Sequence, residues 1–212
     1  MVYDMVPSWT APVLLIIVLL TAAGCLDRFS GSTATPTPTP VPMTIPPTES
    51  PLITVQPSEM ALQLADLPAD YILRDRSVMV SPEVTQLSRD LGWREGYFVS
   101  FSRMNKRDDT TRVRQAINIF PLENMKKVFD LEKIDIENQA ISPLIQSEIP
   151  FPLIGENSRA YRETDPTDAM KQVAYTVIFT KKNVYERITM AGTSTDYETL
   201  KDLVQKAADK VQ

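Results

Sequence analysis

The chain has 212 residues, with 22 Lys and Arg against 27 Asp and Glu, no histidine and one cysteine. Without histidine there is no imidazole base, nucleophile partner or metal ligand, and a lone cysteine makes no intrachain disulfide, CxxC pair or cysteine-rich zinc site. A net charge of −5 speaks against a general nucleic-acid binder, so no nucleic-acid partner is expected.

Three compositional blocks follow one another. Residues 1–26 carry no charge between Asp4 and Asp27, and their apolar centre runs from Val13 to Leu20. Ten to thirteen strongly apolar residues are short for a spanning helix and suit the apolar region of a signal peptide. Ala22, Ala23 and Gly24 then precede Cys25. This order resembles the lipobox of lipoprotein precursors. The resemblance implies acylation of Cys25 and a new N-terminus there. Two features depart from the pattern: Met1–Trp9 has no Lys or Arg, and Ala22 stands where a large aliphatic residue is common. The alternative is an uncleaved anchor, because Met5–Leu26 is long enough to span a bilayer with modest tilt. Either way the N-terminus is a membrane partner and the remainder lies in water, facing the extracytoplasmic side.

Residues 27–57 hold eight of the chain's 17 prolines, much of them in Thr-Pro alternation. Such a segment lacks backbone donors and favours extended polyproline geometry, so it reads as a disordered linker or stalk. Ser/Thr- and Pro-rich stalks are frequent O-glycosylation sites on outer cell surfaces.

Residues 58–212 form the globular candidate, large enough to bury one core without disulfides. Tyr71–Met79 reads as a first strand. Ser81, Pro82 and Glu83 predict a helix start, with Val84, Leu87 and Leu91 as its apolar stripe and Gly92 just past its end. Tyr97–Ser102 and Val113–Phe120 alternate as strands, joined by a turn over 105–110. Pro121 opens a second helix carrying Leu122, Met125, Val128 and Phe129. The stretch from Glu137 to Asp168 is irregular, with a short strand around 158–163. Val173–Phe179 and Val184–Met190 predict a hairpin turning at Lys181-Lys182-Asn183. A last helix runs from Asp196, with a Thr195–Glu198 capping box and a stripe of Tyr197, Leu200, Val204, Ala207 and Val211.

The expected fold is therefore α+β: a mostly antiparallel, hairpin-rich sheet of five to six strands covered by about three helices. The layout resembles the Mog1/PsbP-like arrangement. It also resembles extracellular domains of surface lipoproteins that begin with a phrase like Asp66-Leu67-Pro68-Ala69. Both resemblances imply accessory or binding roles without catalysis.

No motif for nucleotide, metal or nucleophilic chemistry is present, so no cofactor and no catalytic residue is expected. Trp93, Arg94, Tyr97, Arg159, Tyr161 and Arg162 line a shared recognition cleft if the 155–163 segment folds back beside the 93–97 turn; otherwise they are scattered surface residues. Lys106, Arg107, Arg112 and Arg114 cluster at one hairpin, as an anion contact or as a turn neutralised by Asp108 and Asp109. Glu186 shares a face with Val184, Ile188 and Met190, which fits a sheet edge better than a pocket. Asp165 and Asp168 lack the spacing of a calcium loop and read as loop acids. The expected function is a membrane-anchored surface lipoprotein that binds an unidentified protein or small molecule. The rivals are a carboxylate-dependent hydrolase, which needs two placed acids, and a sensory ectodomain acting through protein contacts.

Overall fold

Every second residue of the middle strands is apolar, and that period decides the architecture. The computed structural model describes residues 55–103, 111–138 and 144–212, all within one compact unit spanning Pro47–Gln212. Cys25, the apolar segment before it, most of the Thr/Pro stretch and the turn with Lys106, Arg107, Asp108 and Asp109 lie outside the described residues. Among the described residues no helix is long and apolar enough to cross a membrane.

The strands are β1 (Tyr71–Met79), β2 (Glu95–Arg103), β3 (Arg112–Ile119), β4 (Ile145–Ile149), β5 (Asn157–Thr164), β6 (Val173–Lys181) and β7 (Val184–Gly192). They form one antiparallel sheet in the order β1-β2-β3-β7-β6-β5-β4. The α+β antiparallel class is as expected, with seven strands in place of five to six. The additional strand is β4. Its sequence, Ile-Gln-Ser-Glu-Ile, is polar in the middle and mostly exposed, because it is an edge strand paired only with β5. Edge strands carry little alternation for a sequence to display.

The helices are α1 (Pro57–Met60), α2 (Gln86–Asp90), α3 (Met125–Asn138) and α4 (Tyr197–Lys210). They cover the two faces of the sheet separately. On one face, Leu200, Leu203, Val204 and Ala207 of α4 join Met60 and Leu62 over Val113, Ile117, Val177, Phe179, Ile188 and Met190. On the other, Met125, Val128, Phe129 and Ile136 of α3 pack on Tyr161, Ile178 and Tyr185. Neighbouring residues of β6 and β7 thus serve opposite cores, as a pleated strand requires.

Several local expectations are corrected. Ser81–Glu83 is a single 3-10 turn, and α2 starts only after Thr85, whose hydroxyl accepts from the Ser88 N–H at 3.1 Å. Leu87 consequently points outward, 51% exposed, while Val84 and Leu91 are buried. Gly92 follows α2 at φ +79°, the left-handed end that its position predicts. Pro121 is followed by a 3-10 turn over Leu122–Asn124 before α3, so Leu122 is exposed. The cap of α4 is Asp196, accepting from the Glu198 and Thr199 N–H groups, instead of Thr195. The β6–β7 hairpin closes as expected, with Lys181 paired to Val184 and Lys182 at φ +55°.

Candidate functional site

The six residues proposed as one cleft are not brought together. Trp93 and Arg94 lie just before β2, the second strand in the sheet, and Tyr97 lies within it. Arg159, Tyr161 and Arg162 belong to β5, the sixth. Four strand spacings separate them, about 19 Å. Trp93 packs towards the α3 core and Tyr97 towards the α4 core, so even these neighbours face opposite ways. The Trp93 indole donates to Asn118 Oδ1 at 2.9 Å. Arg159 pairs with Glu148 at 2.8 Å, and Tyr161 is buried beneath α3. Arg162 is exposed. The 155–163 segment runs beside β4 and β6 instead, because its hydrogen bonds go to Ile149 and neighbours on one side and to the β6 ladder on the other.

Tyr97 and Arg94 nevertheless line real concavities. The first segment of the domain, Gln56 to Asp66, crosses the α4 face of the sheet as a strap. Between the strap and strands β1 and β2 lies a groove of about 360 Å3. Its floor is Tyr97, Val99 and Phe101, which alternate on β2; its banks are Leu62 and Leu64 of the strap and Leu73 and Arg76 of β1. A smaller hollow of about 150 Å3 continues past Tyr97 to Arg94 and Val78. Arg76 is exposed and makes no hydrogen bond or ion pair among the described residues. Leu64 and Leu73 are also part of the exposed apolar surface, at 45% and 38%.

Arg76 reaches this groove through a backbone irregularity. Leu73 pairs with Phe101 and Arg76 with Val99, with a β-bulge between Leu73 and Asp75. Phe101 and Val99 share a face, so Leu73 and Arg76 do too. In an uninterrupted strand, residues three apart would point to opposite faces. The bulge therefore places a cation on an apolar bank, and alternation alone would have put it elsewhere.

The strap is held by a buried polar cluster. Leu62 N–H donates to Gln115 Oε1 at 2.7 Å, and Gln115 Nε2 donates to Glu186 Oε2 at 2.7 Å. Both side chains are fully buried. Glu186 is not at a sheet edge: β7 is the fourth of seven strands, so an inward charge has no edge to protect there. Burial pushes its carboxyl up to about 8, against the Gln115 hydrogen bond and the positive charges of Lys210 and Lys181. At neutral pH it is protonated. The strap is tied to α4 as well. Lys210 Nζ meets Asp66 at 2.6 Å and the Ala61 carbonyl at 3.0 Å, and Lys206 Nζ meets the Asp66 carbonyl at 2.7 Å. Burial works against the Asp66 carboxylate, but the Lys210 contact and the Gln63 N–H outweigh it and hold Asp66 below its usual range.

A half-buried carboxyl, Glu132 of α3, accepts from the Tyr185 hydroxyl at 3.0 Å and is also raised by burial. It lies on the α3 face and Glu186 on the α4 face, so the two do not form a carboxylate pair of the kind glycoside hydrolysis needs. Asp165 and Asp168 are occupied in their own loop: Thr167 N–H binds Asp165, and Met170 and Gln172 N–H bind Asp168. Among the described residues no group of three or more His, Cys, Asp or Glu side chains is placed to hold a metal ion.

No family model and no curated protein matches the chain, so the likeness to the Mog1/PsbP-like arrangement rests on layout alone. Among solved structures the chain is similar to the extracellular domain of PknH from Mycobacterium tuberculosis. The two share 11% identity at a TM-score of 0.54, over 73% of this chain and 93% of that one. At that identity the likeness is one of fold.

Proposed function

We propose that this chain is a membrane-tethered, extracytoplasmic binding domain, anchored at Cys25 and carried on its Thr/Pro stalk, which takes an amphiphilic anion in the groove beside the strap. One observation carries this reading. The segment that leaves the stalk is itself a wall of the groove, so ligand and tether meet on the same strap. The apolar floor and the free Arg76 supply what an apolar body with one negative charge needs. The similarity to an extracellular domain agrees with a location outside the cytoplasm. The role is recognition, as sensor or accessory, with no reaction assigned.

Two measurements test the two halves of the reading. Metabolic labelling with radioactive palmitate is expected to mark the native chain and not Cys25→Ser. Equal labelling of both, or a mature chain that still begins at Met1, refutes the lipid anchor. For the groove the probe is 8-anilinonaphthalene-1-sulfonate, an aromatic body with one fixed charge. The full chain is expected to bind it saturably at one site, and Arg76→Glu to weaken that binding by about tenfold or more, since a charge-assisted contact becomes a repulsion. Arg76 is exposed on an edge strand, so the variant's fold is unaffected; binding unchanged by Arg76→Glu rules the groove out.

A further inference from the structure

The groove leaves Arg112 and Arg114 unexplained. They stand on β3, the third of seven strands, where Val113, Gln115 and Ile117 point to the α4 face. Arg112 and Arg114 therefore point to the other face, the one that α3 covers only in part. The core beneath α3 is built on Tyr161, Ile178 and Tyr185. Towards the other end of the same strands no described helix packs on this face, and there its residues are small. Arg112 stands opposite Ser102 of β2 and Ala191 of β7, and Arg114 opposite Ser100 and Thr189. One strand further, Ala174 and Thr176 continue the two rows.

The result is a hollow of about 260 Å3 lined by Arg112, Arg114, Gln172, Thr189 and Ala191. It merges through Gln172 and Ala191 with a wider depression of about 430 Å3 that ends at Glu163, Asp165 and Asp168. An opposite charge directly across a strand pair would stabilise each arginine. Here both arginines face serine, alanine or threonine, both are exposed, and neither has an ion pair or hydrogen bond among the described residues. Their Cα atoms, two residues apart on one strand, are about 6.5–7 Å apart. Two like charges at that spacing over a floor of small side chains call for an anion between them.

We propose that this hollow is a phosphate-binding site, separate from the groove and on the opposite face of the sheet, in which the guanidinium groups of Arg112 and Arg114 close on one phosphate group. Each guanidinium presents a planar fork of donors. A lone carboxylate fills one such fork with its two oxygens and leaves the second cation unmatched. A phosphate monoester offers three unesterified oxygens and more charge, and a diester sets its two unesterified oxygens on a tetrahedral centre beside two ester oxygens, so either can accept from both forks. Glu163, at the far end of the depression, repels the same group and confines it to the arginine end. The phosphate can come from a soluble ester or from a lipid headgroup; the chemistry of the site is the same for both.

The test uses the full chain in maltoside micelles and phosphate-free buffer, with three probes: glycerol 3-phosphate, phosphatidylglycerol mixed into the micelles, and acetate. Calorimetric titration is expected to show saturable binding of a phosphate probe, at least about tenfold weaker in the Arg112→Ala/Arg114→Ala variant. Acetate is expected to bind at least about tenfold more weakly than the phosphate probe. Binding of glycerol 3-phosphate identifies a soluble ester as sufficient. Binding seen only with phosphatidylglycerol assigns the site to a headgroup. Arg112→Lys/Arg114→Lys keeps the charge and loses the forks, and is expected to fall between the native chain and the alanine variant. The inference is overturned by any of three results: neither phosphate probe binds, the alanine variant binds as well as the native chain, or acetate matches phosphate. Both positions are exposed, so the melting temperature of each variant without ligand checks that the fold persists.

Discussion

Glu186→Gln is expected to remove most of the pH dependence of stability between pH 4.5 and pH 8. Burial raises the folded-state carboxyl from the ordinary 4.5 to about 8, with only Gln115, Lys210 and Lys181 opposing it. The folded chain therefore keeps a proton in that interval which the unfolded chain has released. Stability is complete below pH 4.5 and falls as pH rises through 8. A shift of this size corresponds to on the order of 5 kcal/mol across the whole window. Glutamine reproduces the protonated form: it is neutral, its oxygen can take the Gln115 N–H, and its amide fills the place of Oε1. In urea titrations the native midpoint should decline steadily from pH 5 to pH 8, while that of Glu186→Gln stays nearly level. Below pH 4 both should weaken, because hydrogen bonds hold the Asp66, Asp168 and Asp196 carboxyls below their usual range and acid removes those bonds. The native chain should be most stable near pH 4–5. Parallel native and variant curves would show that Glu186 is ionised in the fold.

Glu186 also marks the boundary of what the sequence discloses. Its face was legible, because Val184, Ile188 and Met190 fix the period of the strand. Its place in the sheet was not. Strand order arises from the crossing of β7 between β3 and β6, and no local pattern records that crossing. The β6–β7 hairpin, β2, β3 and α4 were read correctly because each alternates or repeats against a single core. β4 and α1 were missed because one is a polar edge strand and the other a four-residue turn of helix at the end of a proline-rich stretch. The groove was half legible. Arg94 and Tyr97 were named, whereas Arg76 reached the site only through the bulge between Leu73 and Asp75. Arg159, Tyr161 and Arg162 join them only if the 155–163 segment folds back beside the 93–97 turn, and the sheet order sets that segment four strands away. Asp66, within the Asp-Leu-Pro-Ala phrase, fastens the strap to Lys210.

The strap leads to the second large effect. Met60→Ala with Leu62→Ala is expected to cost on the order of 4–8 kcal/mol, because each site is a fully buried large side chain whose truncation leaves a cavity. Domains of ordinary stability have about 5–15 kcal/mol in total, so the pair brings the fold close to melting at room temperature. The loss extends past packing. Leu62 N–H is the partner of Gln115, and Gln115 is the partner of Glu186, so a loosened strap admits water to this buried polar cluster. Leu64→Ala, two residues on, removes a side chain that is 45% exposed and should shift the urea midpoint little. A double variant that unfolds within about 1 kcal/mol of the native chain would show the strap to be an appendage. If the expected loss is found, the folded unit begins upstream of Met60. A pull or a cleavage in the stalk then acts directly on the groove wall, and occupancy of the groove in turn steadies the segment through which the domain is tethered.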